Sequence, residues 1–303
     1  MSDDPASQPE SASDLSARVT ALLAPLGGRT AVAAQRFGPM PGRRLTITPG
    51  QHASPAAPDR LHSGDAPDET RVSIRVDEVF PAASLAKLPI AIELMRRADL
   101  GQFDLNERFD TADTPRVGGA GVLDILDPTT RLTLGELCAL MLVVSDNTAA
   151  NFILDLIGMG EVNETLARLN LKRTKLARRF MDQAARASGR DNVTSANDLL
   201  TLLSLIRGNA LPGGRKLRET LTAQQSFSEL TEGWLPAGAT LAHKDGTLDG
   251  VVHDAGIMSG PGGVAMYCVL TAEQPDVPAA RTAIGRILRL LWEVWRLGAT
   301  ESR

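Results

Sequence analysis

The chain is 303 residues long and 43% hydrophobic, enough to bury a large core, which excludes disorder as its overall state. Its 32 basic and 36 acidic side chains leave a net charge of -4, which excludes the broad positive field that nucleic acid or an anionic membrane surface requires and leaves a small molecule as the expected partner. Two cysteines and four histidines, all scattered, offer no metal-ligand cluster, so no metal or other cofactor is expected.

Residues 1–12, rich in Ser, Asp, Pro and Glu, are expected to form a disordered tail. Leu15, Val19, Leu22 and Leu23 recur at helical spacing and predict a helix over 14–26, closed by Gly27 and Gly28. Strands are predicted at 30–37 and 44–47, joined as a hairpin through Gly38, Pro39, Pro41 and Gly42. Residues 50–70 read as a long surface loop that carries His52 and His62 as solvated bystanders. A third strand at 72–79 leads to Pro81 and to a helix beginning near Ser84, after which helical periodicity dominates to about residue 221. The run 133–144 opens with a capping box, Thr133 and Glu136, and so places Ser145 where a helix gives way to a loop. Ser195 with Asp198 signals another helix start. Beyond Trp234 come short strands at 240–244, 251–258 and 264–271, punctuated by glycines, and a last helix at 277–297 with Ile284, Ile287, Leu288, Leu291 and Val294 on one face.

Strands, a long helical insert and strands again imply an α+β fold. Its antiparallel sheet of about five strands is completed by both chain ends (13–83 and 223–303) and flanked by the N- and C-terminal helices, with an all-helical lobe (84–222) between. Cys138 and Cys268 sit in apolar runs and read as buried free thiols. No stretch reaches the ~18 apolar residues that span a bilayer, and no apolar signal core follows a basic start. The sequence as written therefore carries the expectation of a cytoplasmic monomer, or of a periplasmic or secreted one if the true start lies upstream.

Ser84 and Lys87 stand three residues apart, which on a helix brings hydroxyl and amine to one face. A serine alcohol is nearly inert at neutral pH, and a partly desolvated lysine is neutral enough to take its proton. A helix N-terminus adds backbone N–H groups that stabilise an oxyanion. Ser145-Asp146-Asn147 and Lys244-Asp245-Gly246-Thr247 follow in order. In this order the three segments resemble the Ser-x-x-Lys, Ser-Asp-Asn and Lys-Thr-Gly motifs of serine β-lactamases, class A above all, and of penicillin-binding peptidases. The resemblance covers roughly residues 71–270. Even Pro89, awkwardly placed for a helix breaker, is tolerated at that offset in class A sequences.

The resemblance implies that Ser84 attacks the substrate carbonyl while Lys87 takes its proton, directly or through a water. Ser145 then hands a proton to the departing nitrogen, Lys244 holds the substrate carboxylate, and Asn147 binds the substrate amide and Lys87. The N–H groups of Ser84 and Thr247 form the oxyanion hole, with Gly246 between Thr247 and the lysine.

Two departures stand out. Class A enzymes have a glutamate, on a loop after the Ser-Asp-Asn helix, that activates water to release the acyl-enzyme, yet this chain has no glutamate between Glu164 and Glu219. On the corresponding loop, 178–194, Gln183 occupies the expected base position, and Asp182 and Asp191 are the only carboxylates. A glutamine orients water but cannot accept its proton. Asp245 stands where the family has a hydroxyl, and it repels a substrate carboxylate unless it points away, pairs with Lys244 or is protonated. The position that pairs with Cys138 in some class A enzymes is Ala91, so no disulfide is expected.

The leading expectation is a class A-like hydrolase of the β-lactam amide acting through Ser84. A peptidase, esterase or acyl-trapping penicillin-binder with poor deacylation is the alternative within the same chemistry, and a non-catalytic binding scaffold is the alternative outside it. A Ser/His/Asp hydrolase is disfavoured, since no Gly-x-Ser-x-Gly elbow surrounds Ser84, and His243 and His253 read as hydrogen-bonded strand residues.

Overall fold

The computed structural model describes residues 11–37, 71–112, 114–208, 211–225 and 234–299. The expected strand at 44–47, the 38–42 turn, the 50–70 loop with its histidines and residues 1–10 lie outside the described residues.

In chain order the elements are α1 (Ala12–Leu23), β1 (Arg29–Phe37), β2 (Arg71–Ile74), β3 (Phe80–Pro81), a 3-10 turn (Ala83–Ala86), α2 (Lys87–Asp99), β4 (Arg108–Asp110), β5 (Arg131–Thr133) and α3 (Leu134–Val143). They continue with α4 (Asn147–Ile157), α5 (Met159–Arg168), α6 (Gln183–Ala187), β6 (Val193–Thr194), α7 (Ala196–Arg207), α8 (Gly214–Thr222), β7 (Thr240–Leu248), β8 (Val251–Gly260), β9 (Gly263–Ala272) and α9 (Val277–Val294). Five strands form one antiparallel sheet in the order β2-β1-β9-β8-β7, so both ends of the chain contribute to it, and β7 is an edge.

Side-chain alternation gives that sheet two buried faces. Val32 and Ala34 of β1 and Ala265, Tyr267 and Val269 of β9 pack with Leu15, Val19 and Leu23 of α1 and with Ile284, Ile287, Leu288 and Leu291 of α9. The intervening residues, Ala31 and Ala33 of β1 and Met266, Cys268 and Leu270 of β9, join the other core with the apolar faces of α2, α3, α4, α7 and α8. Both cysteines are free and buried, as expected from their apolar runs. Among the described residues no helix is long and apolar enough to cross a membrane.

Several boundaries move for identifiable reasons. The first helix starts at Ala12, because Ser11 is its N-cap and accepts a hydrogen bond from the Asp14 N–H, so Ser11 and Ala12 belong to the fold rather than to a tail. The strand expected at 72–79 stops at Ile74. Arg75 turns into the left-handed region (φ 47°), and its guanidinium donates to the Thr30 carbonyl at 2.6 Å. The last helix ends at Val294, three residues early.

Glu93 of α2 ties the helical layer together. Its side chain is fully buried and accepts from Arg96 (2.8 Å), Arg97 (2.7 Å) and the Thr165 hydroxyl of α5 (2.7 Å). Burial alone raises this carboxyl, but the hydrogen bonds from Arg96, Thr165 and Arg97 outweigh it and hold it below its usual value. Glu93→Leu is expected to lower unfolding free energy by about 2–3 kcal/mol, because Thr165 and one arginine lose their partner. Urea unfolding of the two proteins measures it.

Candidate active site

The path of the chain into Ser84 is fixed on both sides. Phe80 and Pro81 pair with Thr194 and Val193, and the Ala82 N–H donates to the Asn192 carbonyl at 2.7 Å. From the sheet, His253 Nε2 lies 2.7 Å from the Pro81 carbonyl while its Nδ1 accepts the Thr271 N–H at 3.0 Å. One nitrogen must therefore donate and the other accept, which describes a neutral imidazole. Burial agrees, pushing the His253 pKa down to about 4 against weaker upward pulls from its backbone contacts. Ser84 then sits in the 3-10 turn behind Ala83, whose φ of 47° is left-handed. Since α2 proper starts only at Lys87, Pro89 falls in its first turn, where a missing N–H costs nothing.

Lys87 is fully buried. Its Nζ lies 3.1 Å from Ser84 Oγ, 2.6 Å from the Ser145 carbonyl, 3.0 Å from Ser145 Oγ and 2.8 Å from Asn147 Oδ1, with the Phe180 ring centroid at 4.8 Å. Burial first, and the positive charge of Lys244 second, drive its pKa well below 10.5.

Ser145 follows α3, whose capping box forms as expected, and it adopts a left-handed backbone (φ 56°) that brings both its carbonyl and hydroxyl to Lys87. Asp146 faces away from the amine and builds the turn. Its Oδ1 caps α4 at the Ala149 N–H (2.8 Å), and its Oδ2 accepts from the N–H groups of Val122 (2.7 Å) and Leu123 (2.8 Å). That carboxylate lies so close to Gly121 (φ 114°) that a Cβ there would meet it at 2.2 Å. Asn147 donates to the Gly118 carbonyl at 2.9 Å, leaving its Oδ1 for Lys87.

Lys244, Asp245, Gly246 and Thr247 lie on edge strand β7, alongside the 3-10 turn. A Cβ at Gly246 would stand 3.3 Å from the Ser84 nitrogen and 3.1 Å from the Ala83 Cβ, so glycine allows the strand and the Ser84 turn to approach. Thr247 is exposed. Lys244 Nζ, fully buried, pairs with Asp245 Oδ1 at 2.5 Å, and the same oxygen accepts from Gln224 Nε2 at 2.7 Å. Of the three alternatives left open for Asp245, pairing with Lys244 is the one that forms. Asp254 lies directly across the ladder from Asp245 and has its own partners, His243 Nδ1 (2.9 Å) and the Tyr267 hydroxyl (2.5 Å). Both strand histidines are thus hydrogen-bonded.

On the loop after α5, the two residues expected at the base position lie away from Lys87. Gln183 is exposed at the first residue of α6, and Asp182 caps that helix by accepting the Ala185 N–H at 2.9 Å, so neither meets Lys87. Phe180 takes that place. Its N–H and carbonyl are gripped by the Asn151 side chain at 2.8 and 3.1 Å, and Arg178 closes the loop neck onto Asp191 at 2.7 Å. Asn151, Phe180, Gln224, Gly121 and His253 thus support the site without having been singled out for it. The glycine run 118–121 was the sequence signal available for Gly121. Among the described residues no group of three or more His, Cys, Asp or Glu side chains could hold a metal ion.

Comparison with known proteins bears on the family and the fold. The β-lactamase enzyme family matches residues 60–295. A β-lactamase of Streptomyces lavendulae is 29% identical over 278 residues, spanning 88% of this chain and 90% of that one. The crystal structure of a β-lactamase from Sphaerobacter thermophilus superposes with a TM-score of 0.77 at 27% identity, covering 95% of this chain and 98% of the other. A point mutant of PBP-A, solved as an acyl-enzyme complex with penicillin G, shares the fold with a TM-score of 0.75 at 24% identity, over 96% of this chain and 99% of that one.

Because the folded-state pKa of His253 lies at about 4, below its ordinary 6.5, its contribution to stability is full above pH 6.5 and is lost as pH falls through 4. The loss amounts to about 3 kcal/mol. Urea unfolding between pH 7.5 and 4 should show this decline in the wild-type protein and a correspondingly flatter curve for His253→Gln. Parallel curves would contradict a neutral, buried His253.

Proposed function

Because the chain belongs to the β-lactamase enzyme family, we propose that it opens β-lactam rings by acyl transfer to Ser84, with Lys87 as the base. One observation carries this reading. The Ser145 carbonyl and Asn147 Oδ1 are pure acceptors and together use two N–H bonds of Lys87. A neutral amine has only two, so its lone pair is left for a hydroxyl, and Ser84 Oγ stands 3.1 Å away.

The Ser84 Oγ proton passes to Lys87 Nζ, the Oγ–carbonyl carbon bond forms, and the lactam C–N bond breaks. The departing nitrogen takes a proton from Ser145 Oγ, which is replenished from Lys87 at 3.0 Å. The N–H groups of Ser84 and Thr247 hold the oxyanion, favoured by the close approach of β7 to the turn at Gly246. As an edge strand, β7 offers backbone groups to an extended substrate.

Phe180 favours a second reading, in which the acyl-enzyme persists. Release requires a water with a general base beside it, and the side chain packed against Lys87 from the loop is a benzyl group, which accepts no proton. The chain then behaves as a slow hydrolase or as an acyl-trapping penicillin-binder. The same fold is known as an acyl-enzyme with penicillin G in the PBP-A mutant.

Incubation with a fluorescent penicillin and with nitrocefin, followed by intact mass and colour, tests both readings. A covalent adduct on Ser84 that is absent in Ser84→Ala and forms at least about 100-fold more slowly in Lys87→Ala supports acylation. An unchanged Ser84→Ala variant would sink it. Phe180→Glu is expected to speed release at least about ten-fold, and no acceleration would mean that Phe180 does not limit deacylation.

A further inference from the structure

Resting on the acylation reading, we propose that the Lys244–Asp245 pair makes this site select acyl donors that are neutral where the relatives' substrates are expected to carry a carboxylate, such as β-lactam esters, amides or simple neutral esters. A lysine on this edge strand recognises a substrate carboxylate only as long as its charge is uncompensated. Here the ammonium lies 2.5 Å from Asp245 Oδ1 and also donates to the Asp245 carbonyl at 3.2 Å. The pair is buried on both sides, and Gln224 Nε2 fixes the same carboxylate oxygen at 2.7 Å, which holds Asp245 in place. Asp245 cannot swing across the sheet to another cation either, since the opposing residue is Asp254, already engaged by His243 and Tyr267.

Pairing removes the bare repulsion of a lone Asp245, and it removes the attraction of Lys244 as well. An incoming carboxylate must shed its water for a subsite of no net charge, where one partner attracts it and the other repels it. Lys87 does not replace the loss, because it is fully buried and its amine is engaged by Ser84, Ser145 and Asn147. A neutral ester or amide sheds less water and still finds hydrogen-bond donors on the strand, so it enters at lower cost. Selectivity arises from the added negative group rather than from a new attractive one.

Benzylpenicillin and its methyl ester separate the cases, with the rate of Ser84 adduct formation followed by intact mass. The ratio of the acid's rate to the ester's is expected to lie at or below one in the wild-type protein and to rise about ten-fold or more in both Asp245→Asn and Asp245→Thr, which free the ammonium. The ratio is internal to each protein, so partial misfolding of a variant scales both rates alike and cancels. A wild-type ratio above one, or an unchanged ratio in both variants, overturns this proposal alone. If neither compound labels Ser84, the acylation reading falls and this proposal falls with it.

Discussion

The burial of one amine constrains the rest of the site. Lys87 is sealed from water at the start of α2, and a charged ammonium there would need its lost hydration replaced in full. The protein supplies two pure acceptors, the Ser145 carbonyl and Asn147 Oδ1, and burial, with Lys244 adding to it, outweighs the upward pulls of Asp245 and Asp146 on the amine. That combination favours the neutral amine. Both acceptors come from one turn, so the shape of that turn determines the chemistry of the lysine.

Two left-handed residues, Ala83 and Ser145, hold this arrangement in conformations that non-glycine residues seldom adopt. Each is over-determined by neighbours. Ahead of Ala83, the Pro81 carbonyl is held by His253 and the Ala82 N–H by Asn192. After Ser145, the Asp146 carboxylate gathers three backbone N–H groups from α4 and from the loop at Val122 and Leu123, which explains why Gly121 must lack a side chain. The sheet contributes through β7, whose glycine at 246 lets the strand lie against the backbone of Ser84.

Much of this was legible in the sequence, for physical reasons. The apolar runs of β8 and β9 and the apolar face of α9 were legible as strands and as a covering helix, because both patterns follow directly from burial. The order of Ser84, Lys87, Ser145 and Lys244 was legible because each has a reactive or hydrogen-bonding group. Phe180 was not, since an aromatic in a loop reads as packing, and attention goes to the polar Asp182 and Gln183 beside it. What decides the matter is long-range: Asn151, far earlier in the chain, grips the Phe180 backbone and turns its ring onto Lys87, while Asp182 and Gln183 start a short helix facing solvent. The partner of Asp245 was one of three alternatives that the sequence left open, because a Lys-Asp neighbour pair in a strand ordinarily points its side chains to opposite faces and only the structure shows Lys244 turning to its neighbour.

The central claim is that Lys87 is neutral in the resting protein, and nitrogen NMR of the lysine side-chain amines measures it directly. With Lys87→Met used to assign the resonance, the Lys87 amine is predicted to titrate well below the ordinary lysine value of 10.5. A Lys87 amine that remains charged up to that value would contradict the account, because a charged ammonium has no lone pair for the Ser84 hydroxyl.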